Sequence, residues 1–246
     1  MLIQNLFEDE MSDSVSRNMA ERAFNQVSHW LKNNVNRLQA VGEGPFSGGF
    51  ILSAQRVGLD EEFGDLHYIF MPANEKYKAS LGSYASKDIY FMILGVLIAP
   101  NDTKYLSTRI TGFKPDFVHE FQHYLMRHRQ DHRVSGSDRD LENGGRAKYY
   151  NNPDETNAYY QEATYKFYDL MKSLRNADFA DKSLLNDKMN FWREMTDQDI
   201  VEYIISNQLW DEFWKYATPD TKKAFRKRLA RFVQQTVRPY IMKPIV

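Results

Sequence analysis

The chain has 246 residues, of which 42% are hydrophobic, 14% aromatic and 26% charged, enough apolar mass for one large domain or two closely packed lobes. A formal net charge of −1 supplies no global attraction to nucleic acid or to an anionic membrane. Cysteine is absent, which excludes disulfides, thiolate metal sites and cysteine nucleophiles.

The first ten residues lack a basic stretch followed by a long apolar one, the signature of a secretory leader. The most apolar run, Ile89 to Pro100, is too short to span a bilayer and reads as a buried strand. The expectation is a soluble, cytoplasmic protein, with a virion-associated setting as the alternative.

From Val15 to Leu38, apolar residues recur at Val15, Met19, Ala23, Val27, Trp30, Leu31, Val35 and Leu38. That is helical spacing, and Ser12, Asp13 and Ser14 are available as caps. The Gly42-Glu-Gly-Pro45 cluster ends the helix. Runs with β character follow at Gly49–Val57, Leu66–Met71, Ala79–Ala85 and Ile89–Ile98, punctuated by Gly, Pro and Asp. The third is short and polar, as edge strands are.

A further helix is expected around Phe117, Val118, Phe121 and Leu125, with Pro115 in its first turn. The polar, aperiodic segment Arg129–Asn152 reads as a long loop. Beyond it the periodic segments are all helical, at about 155–175, 182–194, 197–216 and 219–237. Strands come first and helices afterwards, an order that predicts an α+β fold with a small mixed sheet and an antiparallel edge strand. Residues 1–130 would carry the first helix, the sheet and the next helix, 131–154 a polar loop, and 155–246 a helical half, together one compact catalytic unit.

The segment Phe117-Val-His119-Glu120-Phe-Gln-His123-Tyr-Leu125 matches H-E-x-x-H. On a helix, residues i and i+4 lie one turn apart on one face, so both imidazoles can reach one metal ion. Neutral imidazole suits zinc, whose catalytic sites take three protein ligands and a water. Glu120 is rotated by about 100° from the first histidine, so it can address that water without occupying a ligand position. There it can accept the water's proton and return it to a leaving amine.

The third ligand decides the subclass. A third histidine six residues after His123 would fall at residue 129, which is Arg129, and the glycine expected three residues after His123 is Met126. The metzincin arrangement is therefore excluded. In Pro153-Asp-Glu155-Thr-Asn-Ala158, Pro153 fits a helix entry and Glu155 falls in the first turn. Small Ala158, one turn on, would let two helices approach closely.

On His119, Glu120, His123, Glu155 and Ala158 the chain resembles the gluzincin group of zinc metallopeptidases, including small bacterial and phage proteins of that type. The resemblance covers roughly residues 48–170. It implies a zincin-like fold, one bound zinc ion, and a sheet edge, here Gly82 and Tyr84 within Ala79–Ala85, that receives substrate as an added strand. The group's Glu-x-x-x-Asp form is not met, since residue 159 is tyrosine. Glu162 is the alternative ligand. A donor for the developing oxyanion would come from Tyr149, Tyr150, Tyr159 or Tyr160, which flank Glu155.

The implied function is zinc-dependent hydrolysis of peptide bonds in a protein or peptide substrate. The alternatives are a catalytically silent zincin-like scaffold used in assembly or regulation, in a phage setting, and a protease recruited to nucleic acid by its basic C-terminal helix. His128 and His132 sit in an Arg-rich stretch that reads as a solvated helix end, and His29 and His67 as ordinary surface or core residues. The aromatic run from Asn207 to Tyr216 reads as core. On 219–237, Phe225, Leu229, Phe232 and Val233 form an apolar stripe, with Lys222, Arg226, Lys227 and Arg231 largely off it. The default reading is a packed helix with a solvated basic face. The competing one is a docking surface for nucleic acid or an acidic partner.

Overall fold

A computed structural model describes the backbone of residues 10–39, 50–52, 66–72, 83–86, 89–96, 114–129, 145–176 and 182–244. Side-chain surroundings are described for residues 15–34, 114–125, 145–176 and 185–244. The described residues fall into two compact units, 10–129 and 145–244.

The first unit opens with α1 (Glu10–Gln39). Strands β1 (Phe50–Leu52), β2 (Leu66–Pro72), β3 (Ser83–Ser86) and β4 (Ile89–Val96) follow, and then α2 (Lys114–Arg129), which carries the histidine motif. The strands pair in the order β1-β2-β4-β3. β2 and β4 are parallel, with Ile69 opposite Ile93, and the two outer pairings are antiparallel, with Tyr84 of β3 opposite Phe91. Tyr84 thus lies on an edge strand, while Gly82 falls outside the described residues.

α1 buries Ala20, Ala23, Phe24, Val27 and Leu31, one stripe at helical spacing. α2 buries Phe117, Val118, Phe121, Tyr124 and Leu125. The two helices meet where Phe24 and Phe117 stand edge to face at 5.5 Å, and Lys114 Nζ lies 3.5 Å from Glu21 Oε1 and 5.2 Å from the Phe24 ring centre. Pro115 and Asp116 occupy the first turn of α2, where a missing N–H costs nothing and a negative charge meets the helix dipole.

The second unit is helical throughout its described residues. A short helix, α3, spans 145–150 and begins at Gly145, whose φ of +68° favours glycine. Then come α4 (Pro153–Asn176), α5 (Lys182–Glu194), α6 (Asp197–Gln208), α7 (Asp211–Tyr216) and α8 (Pro219–Phe232). A π-helical turn (Val233–Val237) leads into α9 (Arg238–Ile241). The core gathers Phe167 and Met171 of α4, Met189 and Trp192 of α5, Ile200 and Ile204 of α6, Phe213 of α7, and Phe225 and Leu229 of α8.

The α+β, zincin-like class expected from the sequence is corrected here. Of the residues whose side-chain surroundings are described, 91% are helical and none lies in a strand. Every buried apolar side chain described belongs to a helix or to a turn joining two helices. The physical reason is length. The strands have 3, 7, 4 and 8 residues, against 30 for α1 and 24 for α4, so helices hold most of the described backbone.

Three boundaries also differ. The expected loop from Arg129 to Asn152 contains α3, and its residues 130–144 lie outside the described residues. The helix expected at 197–216 breaks at Leu209 and Trp210, both extended. The break puts Leu209 into the core and sets Trp210 5.9 Å from the rings of Tyr150 and Tyr159. The helix expected at 219–237 widens to a π-turn at Val233, just ahead of Pro239. Proline cannot donate to the carbonyl four residues back, so the regular α ladder cannot continue through it.

Candidate metal centre

His119 and His123 are both buried on α2, one turn apart. Their Nε2 atoms are 3.3 Å apart, with the rings inclined at 70°. Two nitrogens in a tetrahedral shell at about 2.0–2.1 Å from zinc stand about 3.3 Å from each other. The pair therefore already has the spacing that a shared metal ion requires. Phe117, Phe121 and Tyr124 hold the helix against rotation, the two phenylalanines stacked at 5.9 Å. Glu120 is half-buried, so of the five motif residues it combines a carboxylate with solvent access.

Glu155 lies in the first turn of α4 and is 1% exposed, and a carboxylate so buried must be compensated by cations or hydrogen-bond donors. Glu162, the alternative ligand, has its Oε1 2.5 Å from Lys166 Nζ, one turn further along α4. A charge-assisted contact of that kind competes with metal ligation, which favours Glu155.

The start of α4 is fixed by two asparagines. Asn152 Oδ1 accepts the Asp154 amide at 2.9 Å, and its carbonyl accepts the Thr156 amide at 2.9 Å. Asn151 donates through Nδ2 to the carbonyls of Ala147 and Tyr216 and accepts through Oδ1 from the Thr218 amide and the Thr221 hydroxyl. That one amide joins α3, α7 and α8 at the entry to the helix that bears Glu155. From residue 154 to residue 165 every α4 position is buried except Asn157, which is half-buried.

The tyrosines proposed as oxyanion donors separate by environment. The Tyr150 hydroxyl donates to Glu212 Oε2 at 3.0 Å, beside Arg146 Nη1 at 3.0 Å from Glu212 Oε1. Burial, then the hydrogen bond to Glu212, push its ionisation well above the ordinary range. Tyr159 is buried against Phe213, ring centres 4.7 Å apart. Burial first, then the neighbouring Tyr149 and Glu155, raise its ionisation strongly as well, so both phenols stay protonated at neutral pH. Tyr160 lies beneath the Arg228 guanidinium, 3.6 Å from the ring centre, and Tyr149 is half-buried with its ring edge-on to Tyr150.

Of the other histidines, His29 is exposed with a ring nitrogen 3.0 Å from Asn33 Nδ2, and His67 lies on β2 opposite Ile51 and Phe91. His128 falls in the last turn of α2, and His132 lies outside the described residues. Two residues of this region escape sequence reasoning. Asn151 carries no pattern that distinguishes a four-way clamp from a turn residue. Gln122 is 2% exposed with no hydrogen-bond partner for Nε2 among the described residues, and it occupies a variable position of the motif. No described helix is long and apolar enough to cross a membrane. No protein-family model, no curated protein and no solved structure matches the chain.

Proposed function

We propose that His119, His123 and Glu155 hold one zinc ion and that the protein hydrolyses peptide bonds with Glu120 as general base. The observation that carries this reading is the pair of buried imidazole nitrogens on α2, 3.3 Å apart, and Glu155, buried in the first turn of α4, is the carboxylate proposed to complete the set. Two histidines and one carboxylate are a ligand set of catalytic zinc, which keeps a fourth position open.

When bound, zinc supplies Lewis acidity that brings the ionisation of a water down to about pH 7. Glu120 takes a proton from the attacking water as its oxygen bonds to the carbonyl carbon. It then delivers that proton to the amine nitrogen as the carbon–nitrogen bond breaks. A protonated phenol, Tyr149 or Tyr159, donates a hydrogen bond to the carbonyl oxygen as negative charge collects there. Tyr150 is less suited, because its proton is already given to Glu212. The substrate is a protein or peptide, and Tyr84 on the β3 edge is the proposed point where it adds as a strand.

The test combines metal analysis with turnover. The wild-type chain is expected to hold one zinc per molecule and to cleave an unfolded protein substrate. His119→Ala and Glu155→Ala should lose the metal. Glu120→Gln should keep it while turnover falls by about 10²–10⁴-fold, the usual worth of a general base. A wild type without stoichiometric zinc ends the proposal at its first step. Zinc retained without any proteolysis, together with a stable protein partner, would instead support the catalytically silent alternative.

A further inference from the structure

Charge is unevenly distributed along this near-neutral chain. Residues 219–243 contain eight basic residues (Lys222, Lys223, Arg226, Lys227, Arg228, Arg231, Arg238, Lys243) and one acidic residue, Asp220, a local net charge of +7. The whole chain carries −1, so the remainder carries −8. Segregation of that size is an electrostatic footprint that composition alone conceals.

The structure sorts these cations. Arg228 is buried on Tyr160 and Asn157, and Arg238 is engaged by Asp197, so both serve the fold. Lys223 and Lys227 are exposed on α8, one turn and about 6 Å apart along the axis, opposite the buried Phe225, Leu229 and Phe232. Among the described residues neither lysine has an ion-pair partner. Beside them, Lys222 Nζ and the Arg226 guanidinium lie 5.5 and 4.8 Å from the Trp214 ring centre, and Arg226 also grips Glu202 at 3.0 Å. These contacts hold two of the four cations in fixed positions before any ligand arrives. One turn before Trp214, Trp210 is 48% exposed, with one side of its indole 5.9 Å from the Tyr150 and Tyr159 rings.

We propose that Lys222, Lys223, Arg226 and Lys227 of α8, with the exposed indole of Trp210, bind single-stranded nucleic acid. The cations meet successive phosphates, and the indole stacks on a base. A membrane surface fits less well, because the apolar stripe of α8 is already spent in the core and cannot enter a bilayer. An acidic peptide would use the cations but would leave the indole without a planar partner. The assignment is independent of the metal centre.

Fluorescence anisotropy of a labelled oligothymidylate with the full chain tests the proposal. Affinity is expected to fall linearly on a log–log plot against salt. The double variant Lys223→Gln/Lys227→Gln should make that slope shallower by about 1.4, two phosphate contacts at about 0.7 each. Trp210→Ala should weaken binding about tenfold while leaving the slope unchanged. Circular dichroism of each variant establishes that the helices are intact, as the exposure of these three side chains predicts. Absence of saturable binding, or a slope that the lysine variants do not change, overturns the proposal. So does equally tight binding to phosphatidylserine vesicles or to polyglutamate with the same dependence on Lys223 and Lys227. Binding that survives Trp210→Ala undiminished overturns the single-strand assignment.

Discussion

The two histidines and the glutamate of the candidate metal centre lie on helices of different construction. α2 presents its motif at a regular helical spacing and packs on α1 through Phe24 and Phe117, with an ion pair from Lys114 to Glu21 beside them. α4 is buried at eleven of the twelve positions from 154 to 165, and its entry is held by capping hydrogen bonds and the Asn151 clamp. A ligand pair can therefore be specified by five residues of local sequence. A single buried carboxylate needs a surrounding structure that keeps it in place against its own desolvation. The cost of disturbing each region should differ accordingly.

The largest expected effect belongs to the aromatic core of the second unit. Phe225 is fully buried among Tyr160, Phe213 and Trp214, so Phe225→Ala should lower the unfolding free energy by about 3–5 kcal/mol in denaturant titration. A loss below about 1 kcal/mol would mean that this core is not close-packed, and the contrast with α2 would fail.

Tyr150→Phe sharpens the comparison at the site itself. It removes the hydroxyl that donates to Glu212 and should cost about 1.5–3 kcal/mol, the range for a hydrogen bond to a charged group, less because Glu212 remains partly exposed. Turnover of the folded variant should stay within a factor of about two of wild type. A large fall in turnover with unchanged stability would instead make Tyr150 the oxyanion donor.

A smaller effect is expected at the start of α6. Thr196 and Asp199 form a capping box, with the Thr196 hydroxyl accepting the Asp199 amide at 3.1 Å and Asp199 Oδ2 accepting the Thr196 amide at 3.0 Å. Thr196→Ala should cost about 1 kcal/mol at neutral pH. The Thr196 hydroxyl, then its amide, hold the Asp199 carboxyl below the ordinary carboxylate range. A depressed carboxyl contributes stability above its unfolded pKa and loses it as pH falls through the folded value. The difference in Tm between wild type and Thr196→Ala should therefore be largest at neutral pH and shrink below about pH 4. A difference that grows in acid would contradict the capping box.

The smallest change is expected in the first unit. Glu21→Gln removes the partner 3.5 Å from Lys114 at the α1–α2 contact, where the two side chains are 34% and 12% exposed. The loss should be under about 1 kcal/mol and should fade in high salt. A loss as large as that of Phe225→Ala would show that the ion pair, and not the Phe24–Phe117 contact, positions the motif helix.

The sequence by itself determined the parts of this protein that depend on spacing. The stripe on α1, the H-E-x-x-H face of α2, the entry to α4 at Pro153 and the buried stripe of α8 all follow from a 3.6-residue period. A helix places side chains by position alone. Only the tertiary structure decided the balance of helix over strand, because a short apolar run acquires its weight from what it packs against. It also decided that Glu162 turns to Lys166 and that Glu155 is buried at the start of α4. The break at Leu209 and the π-turn before Pro239 escaped for a related reason. One follows from the burial of Leu209 in the core, and the other leaves the apolar period of α8 undisturbed.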